Sequence, residues 1–174
     1  LSVAAMIRVG NQKGMKNFVE LRRIAFSVFG LTLFIEIIFA GIFIAGYKIF
    51  PDLFVNYNNE ADLINTYDVV KTAGVLILIA AFFQISDGVQ VVVLGGLRGL
   101  QDVMMPMLFT FIAYWVVGFP ISYYLGLHTE YKSAGIWLGL LAGLTVSAIL
   151  LFLRFNYLTK KLIIQAEESK IIKE

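Results

Sequence analysis

The sequence has no cysteine, a single histidine and three prolines in 174 residues. Without cysteine it can build no disulfide framework, no thiolate metal site and no cysteine nucleophile. The one histidine, His128, follows an apolar run, so neither a histidine metal cluster nor a Ser-His-Asp arrangement can be assembled. No phosphate-cradling loop and no nucleotide fingerprint appears either. Nothing in the chain looks like a centre for bond-breaking chemistry, and no enzyme activity or organic cofactor is expected.

Charge is scarce as well. Only 15% of residues are charged, where a soluble domain carries about 25%. The formal net charge is +2, too small to suggest a nucleic-acid partner. What is present instead is apolar residues, 59% of the chain, and their distribution decides the class. The 25 residues from Val103 to Leu127 hold no Asp, Glu, Lys, Arg or His, and neither do the 21 from Ser133 to Leu153. From Thr72 to Leu97 the only charge is Asp87, and from Ile24 to Tyr47 it is Glu36. An apolar helix needs about 20 residues to cross a hydrocarbon core of about 30 Å. Four stretches meet that length. The fold class is therefore an all-α integral membrane protein, with spans at about 24–48, 70–97, 105–127 and 133–155, and a tail over 156–174.

Lysine and arginine sort by alternate loops. Arg8, Lys13, Lys16, Arg22, Arg23, Arg98, Arg154, Lys160, Lys161, Lys170 and Lys173 fall on one side if the spans alternate. Only Lys48, Lys71 and Lys132 fall on the other, with Asp52, Glu60, Asp62, Asp68 and Glu130. This positive-inside bias places both ends of the chain in the cytoplasm. Aromatic residues such as Tyr47, Tyr57, Tyr67, Tyr123 and Tyr131 gather where the apolar stretches end, as at membrane interfaces. Pro51 is expected to stop the first span, and Pro106 fits the first turn of the third, where a missing N–H costs little. The chain starts at Leu1 without a readable leader, which suggests a piece of a longer protein. The tail, TKKLIIQAEESKIIKE, is charged and amphipathic, and is expected to form a solvated or surface-lying helix.

Two features suggest close packing or movement. Gly135, Gly139 and Gly143 recur at i, i+4 and i+8 on the last span, a spacing that lets another helix backbone approach. They serve helix packing or a moving face; Gly95 and Gly99 repeat the spacing on the second span. Pro120, with Gly118 two residues before it, lies inside the third span and predicts a kink, either structural or a hinge.

Asp87 is the most informative residue. An aspartate at the centre of a membrane helix costs about 2.5–3.5 kcal/mol to insert. At about 100° per residue, Gln84, Asp87 and Gln90 share one polar arc of an otherwise apolar helix, and Gly88 leaves space beside the carboxylate. Asp87 is either a structural polar contact or a proton or cation site. Desolvation raises a carboxyl pKa and an approaching cation lowers it, which is the simplest chemistry for exchanging a bound proton or sodium ion against an organic cation. Glu36, a second carboxylate among Phe34, Ile35, Ile37 and Ile38, is equally consistent with a bond to another helix or a coupling site.

The run SDGVQVVVLGGLRGLQDVMMPM, followed by YWVVGFPISYYLG and GIWLGLLAGL, resembles the multidrug and toxic compound extrusion (MATE) transporters. The opening AAMIRVGNQKG is similar to the family's stretch at the end of its eighth helix, although Lys13 replaces a small or apolar residue. The family has twelve helices in two six-helix lobes. The resemblance implies that this chain is the end of helix eight and helices nine to twelve, part of the C-terminal lobe. It further implies a cation-coupled antiporter, using protons or sodium ions and exporting organic, mostly cationic compounds from the cytoplasm through the cell membrane, in bacteria the inner one. Asp87 matches the acidic residue of the tenth helix, which belongs to the cation site in the bacterial NorM-like branch. Gln84 and Gln90 would be its neighbours, and Glu36 matches no family site. Partners would be the bilayer, the N-terminal lobe and the organic cations. The rivals are a lipid-linked sugar or polysaccharide flippase, which would want a basic cavity, and a non-transporting structural membrane module.

Overall fold

The computed structural model describes residues 1–53 and 63–171, which are helical with short connections. Tyr57, Glu60, Asp62 and Lys173, to which the sequence assigns places in loops and tail, lie outside the described residues. The elements are α1 (Ser2–Gly14), α2 (Phe18–Gly46), the short α3 (Ile49–Asp52), α4 (Leu63–Gly99), α5 (Met104–Ile112), a π-helical segment (Ala113–Gly118), α6 (Phe119–Leu127) and α7 (Lys132–Ile171). Among the described residues four stretches are long and apolar enough to cross a membrane: Phe18–Gly46, Tyr67–Gly99, Met104–Leu127 and Lys132–Ser169. The chain is an all-α integral membrane protein.

The helices run past the charge-free stretches wherever local chemistry permits. α2 begins at Phe18 because the Asn17 side chain caps it, accepting from the Glu20 N–H at 3.3 Å. α7 continues for 40 residues, about 60 Å at 1.5 Å per residue and so about twice the hydrocarbon thickness. The tail expected to be separate is thus a direct continuation of the last span as far as Ile171. Pro51 does not end the first span as expected. α2 stops at Gly46, and Pro51 lies within the separate turn α3. Pro106 occupies the first turn of α5, where its absent N–H has no intrahelical partner to lose.

α1 and α4 both end in a left-handed residue with Schellman-type bonds. Lys16 has φ 58°, with Asn17 N–H bonded to Gln12 C=O and Lys16 N–H to Lys13 C=O. Gln101 has φ 62°, with Asp102 N–H bonded to Leu97 C=O and Gln101 N–H to Arg98 C=O. Lys13, the residue out of keeping with the family pattern, then reaches from α1 to the end of α4. Its ammonium donates to Leu100 C=O at 2.7 Å and to Gln101 Oε1 at 3.1 Å. A lysine at this place satisfies carbonyls that a helix C-terminus leaves without partners.

The buried core gathers where α1, α2, α4 and α7 converge, around Val9, Leu21, Phe29, Val93, Leu97 and Phe155. The Phe29 and Phe155 rings meet edge to face at 5.1 Å, and Gly96 makes room for them: a Cβ there would stand 3.0 Å from Phe155 and 3.2 Å from Phe29. Gly95 and Gly99 face α1, where Ser2, Met6 and Val9 pack against them. Two polar ties close the same end. Arg154 Nε donates to Asp102 Oδ2 at 2.8 Å, and an Arg22 guanidinium nitrogen donates to Asn156 Oδ1 at 2.6 Å.

Candidate functional site

The third span is not kinked simply at its proline. Before Pro120 the helix widens into the six-residue π segment Ala113–Gly118, closed by a bond from Phe119 N–H to Tyr114 C=O, and Pro120 falls in the first turn of the α6 that follows. The wider turn disposes of the hydrogen bond that proline cannot make, and π segments of this kind often mark functional positions. Gly118 within it lies against Gly143 of α7, where a Cβ would be 3.2 Å from the Gly143 Cα. Gly139 meets the Ser122 backbone and Gly135 meets Leu125. The three glycines of α7 therefore line the seam against the π segment and α6, and Ser122 Oγ crosses that seam to donate to Ile136 C=O at 3.0 Å.

One contact made from the π segment was not legible in the spacing. Tyr114 reaches α4 from the third span, its hydroxyl donating to Gln90 Oε1 at 3.2 Å. Gln90 is only 8% exposed, so without that bond its side-chain carbonyl would lack this partner in an apolar setting. The polar arc of α4 is in this way divided among neighbours. Gln90 faces the third span. Gln84 faces α2, donating from Nε2 to Glu36 C=O at 3.3 Å. Asp87, between them, is exposed and makes no hydrogen bond or ion pair among the described residues.

Glu36 joins this group from α2. Its side chain lies across Gly88, close enough that a Cβ there would stand 2.6 Å from Glu36 Cγ and Oε1. The space that Gly88 leaves beside Asp87 is thus occupied by the second membrane carboxylate. Residues 36, 84, 87 and 90 come together on adjoining helices, with Tyr114 as the member the sequence did not single out. Its only signal was position: four residues before Gly118 and six before Pro120.

The arrangement supplies two carboxylates and two amides, with no Lys, Arg or His. Carboxylate and amide oxygens are groups that attract a proton or another cation. Among the described residues no group of three or more His, Cys, Asp or Glu could hold a metal ion. A groove of about 400 Å³ lies between the third span and α7, lined by Tyr114, Trp115, Phe119, Tyr123, Ile136 and Leu140 among others, so Tyr114 borders both it and the polar group. It contains no carboxylate. Trp115, Phe119 and Tyr123 of its wall continue a row begun by Phe111, with successive ring centroids 6.0, 5.8 and 6.5 Å apart.

A family model described as MatE matches residues 1–124. The chain is 40% identical over 161 residues to a protein of Rhodopseudomonas palustris named probable multidrug resistance protein NorM, covering 92% of this chain and 33% of the relative. It is 37% identical over 166 residues to the multidrug resistance protein MdtK of Yersinia pseudotuberculosis, covering 92% of this chain and 34% of the relative. The chain thus spans about a third of the length of these relatives. A solved structure described as the inward-facing conformation of a multidrug resistance MATE family transporter of the MOP superfamily shares the fold, with a TM-score of 0.74 at 17% identity, over 92% of this chain and 35% of that one.

Proposed function

The chain belongs to the MatE family, and on that premise we propose that it is part of the C-terminal lobe of an antiporter exporting organic, mostly cationic compounds in exchange for protons or sodium ions. Asp87 is the coupling carboxylate in this reading, with Gln84, Gln90 and Glu36 around it. One observation carries it: a carboxylate in the middle of an apolar span makes no hydrogen bond or ion pair among the described residues. A carboxylate retained for packing would be expected to have satisfied its oxygens within the protein, since an unpaired one is costly to keep in a membrane.

The coupling is a competition. A proton or sodium ion and an organic cation cannot both occupy the same carboxylate, so the gradient that loads one expels the other. Alternation between two lobes about a site at mid-membrane would turn that competition into directional transport. The N-terminal lobe is the partner this reading requires, and the lysine and arginine bias supports a cytoplasmic position for both ends of this chain. The flippase alternative is disfavoured by the absence of Lys and Arg from the candidate site, because a pyrophosphate headgroup wants basic partners.

The test uses the intact protein in vesicles. Efflux of a fluorescent organic cation is followed under imposed proton or sodium gradients, with and without Asp87→Asn. Loss of the response to both gradients, with weakened binding of the organic cation by a protein that still folds, is the result expected. Unchanged gradient-driven efflux overturns the assignment and leaves Asp87 a structural residue.

A further inference from the structure

The hairpin of α1 and α2 encloses a groove of about 440 Å³, separate from the carboxylates and built differently. Its floor is apolar, formed by Leu1 and Ala4 of one side and Ile24, Val28 and Leu31 of the other. Ser27, the polar residue on that floor, has its hydroxyl turned back to donate to Arg23 C=O at 3.0 Å, so it presents no free donor. At one end the lining becomes charged, with Arg8, Glu20 and Arg23.

Three facts suggest what this groove receives. The change from charged to apolar lining falls between Arg23 and Ile24, where the charge-free stretch of the first span begins. A headgroup belongs at that level, and an acyl chain belongs along the floor beyond it. Arg8 makes no hydrogen bond or ion pair among the described residues. Among the described residues the Arg23 guanidinium pairs with Glu20 alone, at 4.0 Å, with the arginine side chain 81% exposed, a contact worth little in water. Two guanidiniums are left to one carboxylate, and guanidinium suits a phosphate oxygen pair in shape as well as charge.

We propose that the groove between α1 and α2 binds an anionic phospholipid, its phosphate between Arg8 and Arg23 and one acyl chain along Ala4, Ile24, Val28 and Leu31. Basic niches between membrane helices take anionic headgroups by this combination of charge and apolar contact. Glu20 opposes it, and so sets how strongly an anionic headgroup is preferred over a zwitterionic one. The site lies on the hairpin that presents Glu36 further along α2, and the proposal does not depend on which ion the carboxylates bind.

Native mass spectrometry of the intact protein tests it, with detergent micelles doped with phosphatidylglycerol or phosphatidylcholine of matched chains. The wild type is expected to retain one phosphatidylglycerol in excess of phosphatidylcholine. Arg8→Gln combined with Arg23→Gln should weaken that retention about tenfold or more, while Glu20→Gln should strengthen it several-fold. Ser27 is exposed, so Ser27→Trp can fill the groove without entering the core, and it should remove the bound lipid whatever its headgroup. Thermal unfolding of each variant establishes that it is folded. Equal retention of the two lipids, or retention untouched by the arginine substitutions, overturns the proposal. The second result is also what a protein segment already filling the groove would give.

Discussion

The Tyr114 hydroxyl and the Gln90 side-chain carbonyl, 3.2 Å apart, join the third span to the α4 helix that carries Asp87. Gln90 is buried, so removing the donor leaves an acceptor unsatisfied. That costs about 1–3 kcal/mol, more than the net worth of the bond itself. Tyr114→Phe should lower the thermal stability of the intact protein accordingly. Gln90→Leu, which leaves the tyrosine hydroxyl without its acceptor, should cost a similar amount, and the double variant should recover part of the loss. Strict additivity of the two single effects would mean that the bond does not form in the membrane.

The glycine seam predicts opposite signs at different positions of the same residue type. A Cβ on Gly139 would collide with the Ser122 backbone, and one on Gly143 would stand 2.9 Å from the Gly118 Cα. Gly30 and Gly41 of α2 have nothing within 4 Å. Gly139→Ala should therefore destabilise by about 1–3 kcal/mol, the usual range for overpacking. Gly30→Ala should be neutral or stabilising by up to about 1 kcal/mol, the helix-propensity difference measured in water. Unfolding midpoints in one detergent decide the matter, and destabilisation by Gly30→Ala would place an unseen neighbour on that face.

The Asp102–Arg154 pair fastens α7 to the turn between α4 and α5, with the side chains 16% and 24% exposed. Largely buried pairs are costly to break by removing one partner, because the other charge is stranded. Arg154→Met should lower stability by about 2 kcal/mol. Combining it with Asp102→Asn should restore much of that loss. A double variant no better than Arg154→Met alone would show that the arginine acts by packing its stem.

Left-handed conformations at non-glycine residues offer a gain rather than a loss. Lys16 has φ 58° and its ammonium makes no hydrogen bond among the described residues. The left-handed region costs an L-residue about 1–2 kcal/mol, which glycine avoids. Lys16→Gly should stabilise the protein by up to about 1 kcal/mol, because glycine's freer unfolded chain takes back part of the benefit. Gln101, although similarly strained, also accepts from Lys13, so its replacement should gain less.

Different parts of this structure were legible to different degrees for identifiable reasons. Four spans could be read because burying charge in hydrocarbon is expensive enough to leave uninterrupted apolar stretches. Their ends could not, because a helix with a polar continuation has no reason to stop at an interface. α7 runs to Ile171, and α2 starts where Asn17 caps it. Pro120 led to the expectation of a kink; the structure has a π segment, Ala113–Gly118, just before it, which no 3.6-residue pattern contains. Glu36 looked isolated because its companions, Gln84 and Gly88, lie about fifty positions away in the chain. Only packing brings them to it.

Gly88 separates the contribution of Glu36 from that of Asp87. A methyl group at Gly88 would meet Glu36 Cγ, Cδ and Oε1 at 2.6–2.8 Å, whereas no backbone atom is among its nearest contacts. The flexible end of Glu36 can move away, so Gly88→Ala should fold with a stability within about 1 kcal/mol of wild type, the helix preference for alanine offsetting the displacement. What changes is where the second carboxylate stands relative to Asp87. If the two carboxylates share one cation, Gly88→Ala and Glu36→Gln should weaken gradient-driven efflux in the same way, and neither should add to the effect of Asp87→Asn, since groups acting as a unit are not additive. Measured in one vesicle preparation, full efflux by both Gly88→Ala and Glu36→Gln would confine coupling to Asp87 and leave Glu36 as a contact between α2 and α4.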